Sequence, residues 1–179
     1  MRSKGFEGMA CSMAEVMAAL GDRWGALIMR DLLLGLTRYD DLRRSTGVTN
    51  ATLSGRLKDL EEAGLIARRP YQLRPERHDY VPTKKGRDIA LVMQAMVQVG
   101  DKWRREESLD GPLRFVDAAS GHPLRLALVD AGTDASAGTT NIRIEAGPAA
   151  DDLMKWRMAR GQEERRHRSG ASAPQGFRP

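Results

Sequence analysis

Residues able to do chemistry are few and widely spaced. His78, His122 and His167 fall in three different expected elements, and Cys11 is the one cysteine. A metal site needs three or four such ligands brought together, and no H-E-x-x-H, phosphate-loop or nucleophile-elbow pattern occurs. Catalysis, metal binding and a cofactor are therefore not expected. What remains is cationic chemistry. Arg56, Arg74 and Arg77 carry planar guanidinium groups, each able to donate two hydrogen bonds at once to a phosphate or a guanine edge. Around Arg56 stand Thr49, Asn50, Thr52, Ser54 and Lys58, short polar donors and a second cation.

The chain that must position these groups has 179 residues, 41% apolar and 30% charged, which is room for one ordinary domain and an appendage. Its net charge of +5 is unevenly placed. Residues 1–37 are neutral, 38–87 carry +5, 88–154 carry −5 and 155–179 carry +5. A basic internal block is the electrostatic footprint of nucleic-acid binding only if a suitable fold stands behind it. No apolar run approaches the roughly 20 residues that span a bilayer, and the first residues lack the apolar stretch of a secretion signal. With a lone cysteine unable to close an intrachain disulfide, a cytoplasmic location and no membrane partner are expected.

Hydrophobic spacing and cap residues predict the elements. Ser12-Met13-Ala14-Glu15 reads as a capping box opening a helix at Met13, ending near Gly21. Trp24 to Leu34 reads as a second helix, and Thr37 as the cap of a third that turns Tyr39 and Leu42 inward. Gly47 supplies a tight turn, and Thr49 caps a fourth helix to about Ala63 with Leu53, Leu57 and Leu60 on one stripe. Two short strands follow, at 65–69 and 78–81, joined by an arginine-bearing loop. Thr83 then caps a long helix. Residues Ile89 to Trp103 on it are apolar on two faces, and Met13 to Leu20 are apolar almost all round, so both need a neighbour beyond one small domain. Beyond Pro112 come expected strands at 113–116, 124–129 and 141–145, then a basic helix from Asp151 to about Arg168 and a polar tail. The expected fold class is mainly α with a two-stranded wing, a winged helix-turn-helix, plus a small antiparallel β appendage. The domains divide as 1–110, DNA binding and dimerisation; 111–150, appendage; and 151–179, basic helix and tail.

Gly21-Asp22-Arg23-Trp24, Leu32-Leu33, Arg38 to Arg43, Thr52 to Ile66 and Tyr80 to Gly86, with Cys11 ahead of them, resemble the HxlR family of bacterial, MarR-like transcriptional regulators over about residues 11–106. The resemblance implies a homodimeric DNA-binding regulator, with dimer contacts from the first and last helices of the domain. It also implies an N-terminal cysteine that serves some members as a redox sensor. Repression by occupying an operator on double-stranded DNA is the expected mode. Architectural binding without sequence preference, and a small-molecule module that has lost DNA binding, are the alternatives.

Within that frame Thr49, Asn50, Thr52, Ser54, Arg56 and Lys58 are expected to face or flank the major groove, with Arg74 and Arg77 reaching the DNA from the wing. Ala51 and Gly55 stand where longer side chains are usual in the family, which shifts weight toward phosphate contacts and DNA shape. Arg56 has a second reading, an ion pair with Asp59 or Glu62, and Arg74 and Arg77 have one as solvated hairpin charges. Lys84 and Lys85 oppose the dipole of the helix they open, a cost a nearby phosphate would offset. Cys11 is either packing or a redox switch, which requires a thiolate. The appendage either caps the dimer or takes an unknown small effector.

Overall fold

The computed structural model describes residues 6, 8–137 and 144–170. Four helices come first: α1 (Ser12–Leu20), α2 (Arg23–Leu33), α3 (Tyr39–Thr46) and α4 (Asn50–Glu62). A hairpin of β1 (Ile66–Leu73) and β2 (Glu76–Pro82) leads into the long α5 (Lys84–Glu106). The appendage holds β3 (Leu128–Val129) and β4 (Ser136–Ala137), and α6 (Asp152–Gly170) ends the described chain. This is the winged helix-turn-helix the sequence predicts.

The caps form where a side-chain oxygen can reach the first free N–H groups. Asp22 Oδ1 accepts from Trp24 and Gly25 at 2.9 and 3.1 Å, Thr49 from Thr52 at 3.2 Å and Thr83 from Gly86 at 3.1 Å. Two expected caps are different. The backbone bond from Glu15 N to Cys11 O starts α1 at Ser12, one residue early, so Cys11 takes the cap position with no side-chain bond. Thr37 instead gives its hydroxyl to Asp79 Oδ1 of β2 at 3.2 Å, and Arg38 precedes α3 without capping it.

One apolar cluster holds the helices together. Ile28, Met29 and Leu32 of α2 meet Leu42 of α3, Leu53, Leu57 and Leu60 of α4, Leu65 and Ile66 at the start of β1, and Ile89 of α5, all buried. The inward stripe of α4 is thus the one expected, and it fixes which residues of α4 look outward. Gly47 ends α3 in the left-handed region, φ 68°, and turns the chain into α4. At the start of α5 the backbones of Gly86 and Leu65 run so close that a Cβ on Gly86 would lie 1.9 Å from the Leu65 carbonyl oxygen. Lys85 Nζ donates to Ala63 O at 2.8 Å and Thr83 Oγ1 to Gly64 O at 2.7 Å, satisfying carbonyls at the end of α4. Lys85 therefore has a protein partner at a negative helix end.

The hairpin is longer than the expected 65–69 and 78–81. It runs in antiparallel register from Ile66↔Pro82 to Leu73↔Glu76, and only Arg74 and Pro75 form the turn. Between Pro70 and Gln72 the register shifts, leaving Tyr71 as the extra residue of a bulge.

The appendage departs from expectation in detail. Residues 113–116 form no strand and share one bridge, Val116↔Pro123. Of 124–129 only Leu128–Val129 forms a strand, and its partner is Ser136–Ala137. Residues 141–143 of that expected strand lie outside the described residues, as do 171–179 of the tail. Gln98 fastens the segment to α5, donating to Leu126 O at 3.0 Å and accepting from Leu126 N at 2.8 Å, as a strand neighbour would. Asp151 Oδ1 accepts from Met154 N at 2.7 Å and so caps the expected basic helix.

Candidate nucleic-acid interface

With Leu53, Leu57 and Leu60 facing inward, helical geometry turns Asn50, Ala51, Ser54, Gly55 and Lys58 outward, and all five are exposed. Thr49 is exposed and Thr52 half-buried, and their hydroxyls lie 3.0 Å apart at the first turn of α4. Tyr39 ties α3 to this turn: its hydroxyl donates to Asn50 O at 3.0 Å, leaving its oxygen to accept from Ser54 Oγ, also at 3.0 Å. Lys58 sits 3.6 Å from Glu62 on the solvent side, a pair too exposed to hold it.

Arg56 is placed differently. Its Nε lies 3.2 Å from Asp22 Oδ2 and its Nη1 2.5 Å from Asp59 Oδ2. The Asp59 partner is one of the two the sequence offered as an alternative to DNA contact. Asp22, on another element, could not be read from spacing. Asp22 thus caps α2 with one oxygen and holds α4 with the other, which makes Arg56 a strut between the two helices.

The wing is held beside α4 by charge and by backbone. Arg68 Nε lies 2.9 Å from Glu61 Oε2, and that hydrogen-bonded carboxylate raises the Arg68 pKa further. Burial pushes the Tyr80 phenol up, with its ring against the core cluster. Tyr80 N donates to Thr37 O at 2.9 Å, and Arg38 Nε lies 2.9 Å from Asp79 Oδ1. The Arg38 guanidinium also covers the Tyr71 ring, 3.2 Å from its centroid. This Arg38, Tyr71 and Asp79 set was missed in the sequence, where a bulge within the hairpin leaves no periodic signal. Arg74 and Arg77 are exposed at the tip and neither is ion-paired among the described residues.

The structure does not bring the histidines together. His78 lies on β2, 3.2 Å from Glu76, and His122 in the appendage turn, while the side chain of His167 lies outside those described. Among the described residues no cluster of three or more His, Cys, Asp or Glu could hold a metal ion. Cys11 is a half-buried free thiol. No helix among the described residues is long and apolar enough to cross a membrane.

The arrangement is a helix with a polar outward face and a flanking wing whose tip arginines are exposed. A family model described as HxlR-like helix-turn-helix matches residues 19–108, a span that begins after Cys11. An HTH-type transcriptional regulator of Mycobacterium tuberculosis, itself uncharacterized, is 35% identical over 144 residues, covering 80% of this chain and 89% of its own. That likeness runs well past residue 108 and takes in part of the C-terminal region. A Synechocystis HTH-type regulator is 35% identical over 58% of this chain and 77% of its own. Among solved structures, a protein of Pseudomonas aeruginosa described as a transcription factor, PA1374, superposes with a TM-score of 0.57 at 36% identity, covering 82% of this chain and 99% of its own. PA1607, likewise described as a transcription factor, gives 0.66 at 26% identity over 80% of this chain and 100% of its own.

Proposed function

The chain belongs to the HxlR-like helix-turn-helix family of DNA-binding transcriptional regulators and is no enzyme, and from that premise we propose that it is a cytoplasmic repressor that occupies its operator as a two-fold homodimer. The observation that carries the reading is the outward face of α4 standing beside a wing whose tip arginines have no ion-pair partner among the described residues. Thr49, Asn50, Thr52, Ser54 and Lys58 meet the major groove, Arg74 and Arg77 reach phosphates beside it, and Arg56 positions α4 from within. Residues 1–110 bind DNA and dimerise, 111–150 form the appendage and 151–179 the basic helix and tail.

Dimerisation is supported by apolar side chains left in solvent on the two helices singled out for it. Met13 and Met17 of α1 are 70% and 50% exposed, and Leu91, Met96 and Trp103 of α5 58–64%. Burying a side chain of this size stabilises by about 1.5–3 kcal/mol, so a two-fold contact through both helices supplies enough to hold a dimer. Cys11 lies beside that face at the start of α1.

One observation favours a second reading. With Arg56 engaged by Asp22 and Asp59, the groove face is left with short side chains and one lysine, which suits binding through phosphates and DNA shape with little base preference. A gel shift of the full chain against its own upstream region and against random DNA at one salt concentration separates the two. An operator preference of at least a thousandfold supports the repressor, and near-equal affinities support the architectural reading.

A further inference from the structure

Arg105 of α5, and Arg114 and Arg125 of the appendage, lie away from the helix-turn-helix and have no ion-pair partner among the described residues. They line one cavity of about 370 Å³, floored by Val97, Leu113 and Phe115, and the one carboxylate in its walls is Asp101. That carboxylate is packed against the Gly111 backbone, where a Cβ would meet it at 2.5 Å. The same Val97, Leu113 and Phe115 also line a second cavity, about 370 Å³ as well, between α2 and α5. Leu27, Leu33, Ala90 and Met93 are among its walls, and Arg30 is its one charged residue, with a guanidinium already bonded to the buried Asp31.

An apolar cleft beside a cationic one, both lined by Leu113 and Phe115, selects a particular ligand chemistry. Ligand sites are commonly about 300–1,000 Å³, mostly apolar, with a few polar groups that fix orientation. Here three cations face one carboxylate, Asp101, with which none of them is ion-paired among the described residues, and the excess positive charge calls for an anion. The covering segment is fastened in place by the paired hydrogen bonds between Gln98 and Leu126 and by the Val116↔Pro123 bridge. Leu113, Phe115, Arg114 and Arg125 all lie beyond residue 108, outside the matched helix-turn-helix span.

We propose that the two cavities form one binding site for a hydrophobic organic anion, a carboxylate with an apolar body, whose head meets Arg105, Arg114 and Arg125 and whose body lies between α2 and α5. The site stands independently of how the chain reads DNA. The test uses the full chain and the fluorescent anion 1-anilinonaphthalene-8-sulfonate, displaced by decanoate or by 1-decanol, which has the same chain without the charge. Decanoate is expected to displace the dye at concentrations at least tenfold lower than decanol. Arg114→Ala with Arg125→Ala should erase that preference while keeping decanol binding. Ala90→Phe should weaken both competitors at least tenfold, and Ala26→Leu, a smaller change in the same chamber, should weaken them in the same direction if Ala90→Phe fails to fold. Equal displacement by acid and alcohol, or dye binding unchanged by filling the chamber, overturns the site. Dye binding that disappears as protein concentration rises overturns it too, because a second copy then covers the cavity. So do arginine variants that lose affinity for random DNA but keep decanoate.

Discussion

Arg56 shows how far a residue can be read from its neighbours in sequence. Its spacing from Asp59 was legible, since residues three apart share a helix face, but Asp22 caps another helix, 34 positions earlier. Because the guanidinium braces α4 against the start of α2, Arg56→Ala is expected to lower stability by about 1 kcal/mol, the scale of two partly exposed pairs. It should weaken operator and random DNA by the same factor. A double-mutant cycle with Asp22→Ala, followed by urea melts, should show the two changes to be less than additive. A loss of about 1–3 kcal/mol confined to the preferred sequence would make Arg56 a base reader instead. The wing arginines should behave otherwise: Arg74→Ala and Arg77→Ala are expected to weaken both DNAs and flatten the salt dependence. In the appendage, hydrogen bonds from Ser120 hold the Asp117 carboxyl below its usual range, and those from Gly132 and Thr133 do the same for Asp130. A carboxylate whose folded pKa is depressed contributes stability that is complete above its unfolded value, about 3.9, and is lost as pH falls through the folded value. Amide protection of residues 117–134, followed by NMR, should therefore stay constant from pH 7 down to about 4 and decline only below that.

At the scale of elements, the helices were legible because their caps and apolar stripes are local. Thr49 and Thr83 cap as expected, and the Leu53, Leu57 and Leu60 stripe is buried as expected. Thr37 does not cap because a partner 42 residues away, Asp79, takes its hydroxyl. The expected strands at 113–116 and 124–129 are longer than those that form, since alternation of apolar and polar residues marks a strand only where a neighbour supplies hydrogen bonds, and here Gln98 supplies part of them through a side chain. Two glycines separate close approach from simple helix weakness. Gly86→Ala must push apart the start of α5 and the Leu65 carbonyl, and a loss of several kcal/mol is expected on thermal melting. Gly55, exposed in mid-helix with nothing within 4 Å of its would-be Cβ, should respond in the opposite sense, Gly55→Ala stabilising by about 0.5–1 kcal/mol.

For the whole molecule, the exposed apolar faces of α1 and α5 are expected to pair with those of a second copy. Sedimentation should show a dimer at micromolar concentration, and Trp103→Glu combined with Met13→Glu should shift it to monomer and lower operator affinity together. In the dimer the two α4 helices should lie about 34 Å apart, one turn of DNA. The basic end of the chain is expected to act through charge: Arg157 and Arg166 of α6 follow an acidic block, and truncation after Leu153 should lower random-DNA affinity while leaving the preferred sequence the same. The sequence alone determined the order of elements, the inward stripe of α4 and therefore the outward residues Asn50, Ser54 and Lys58, because periodicity, caps and charge are properties of neighbouring residues. Only the tertiary structure decided that Arg56 is held by Asp22, that Tyr71 bulges out beneath Arg38, and that Arg105, Arg114 and Arg125 meet beside an apolar chamber. Each of these joins residues far apart in the chain, and how a folded backbone brings such residues within reach of one another cannot be read from spacing along it.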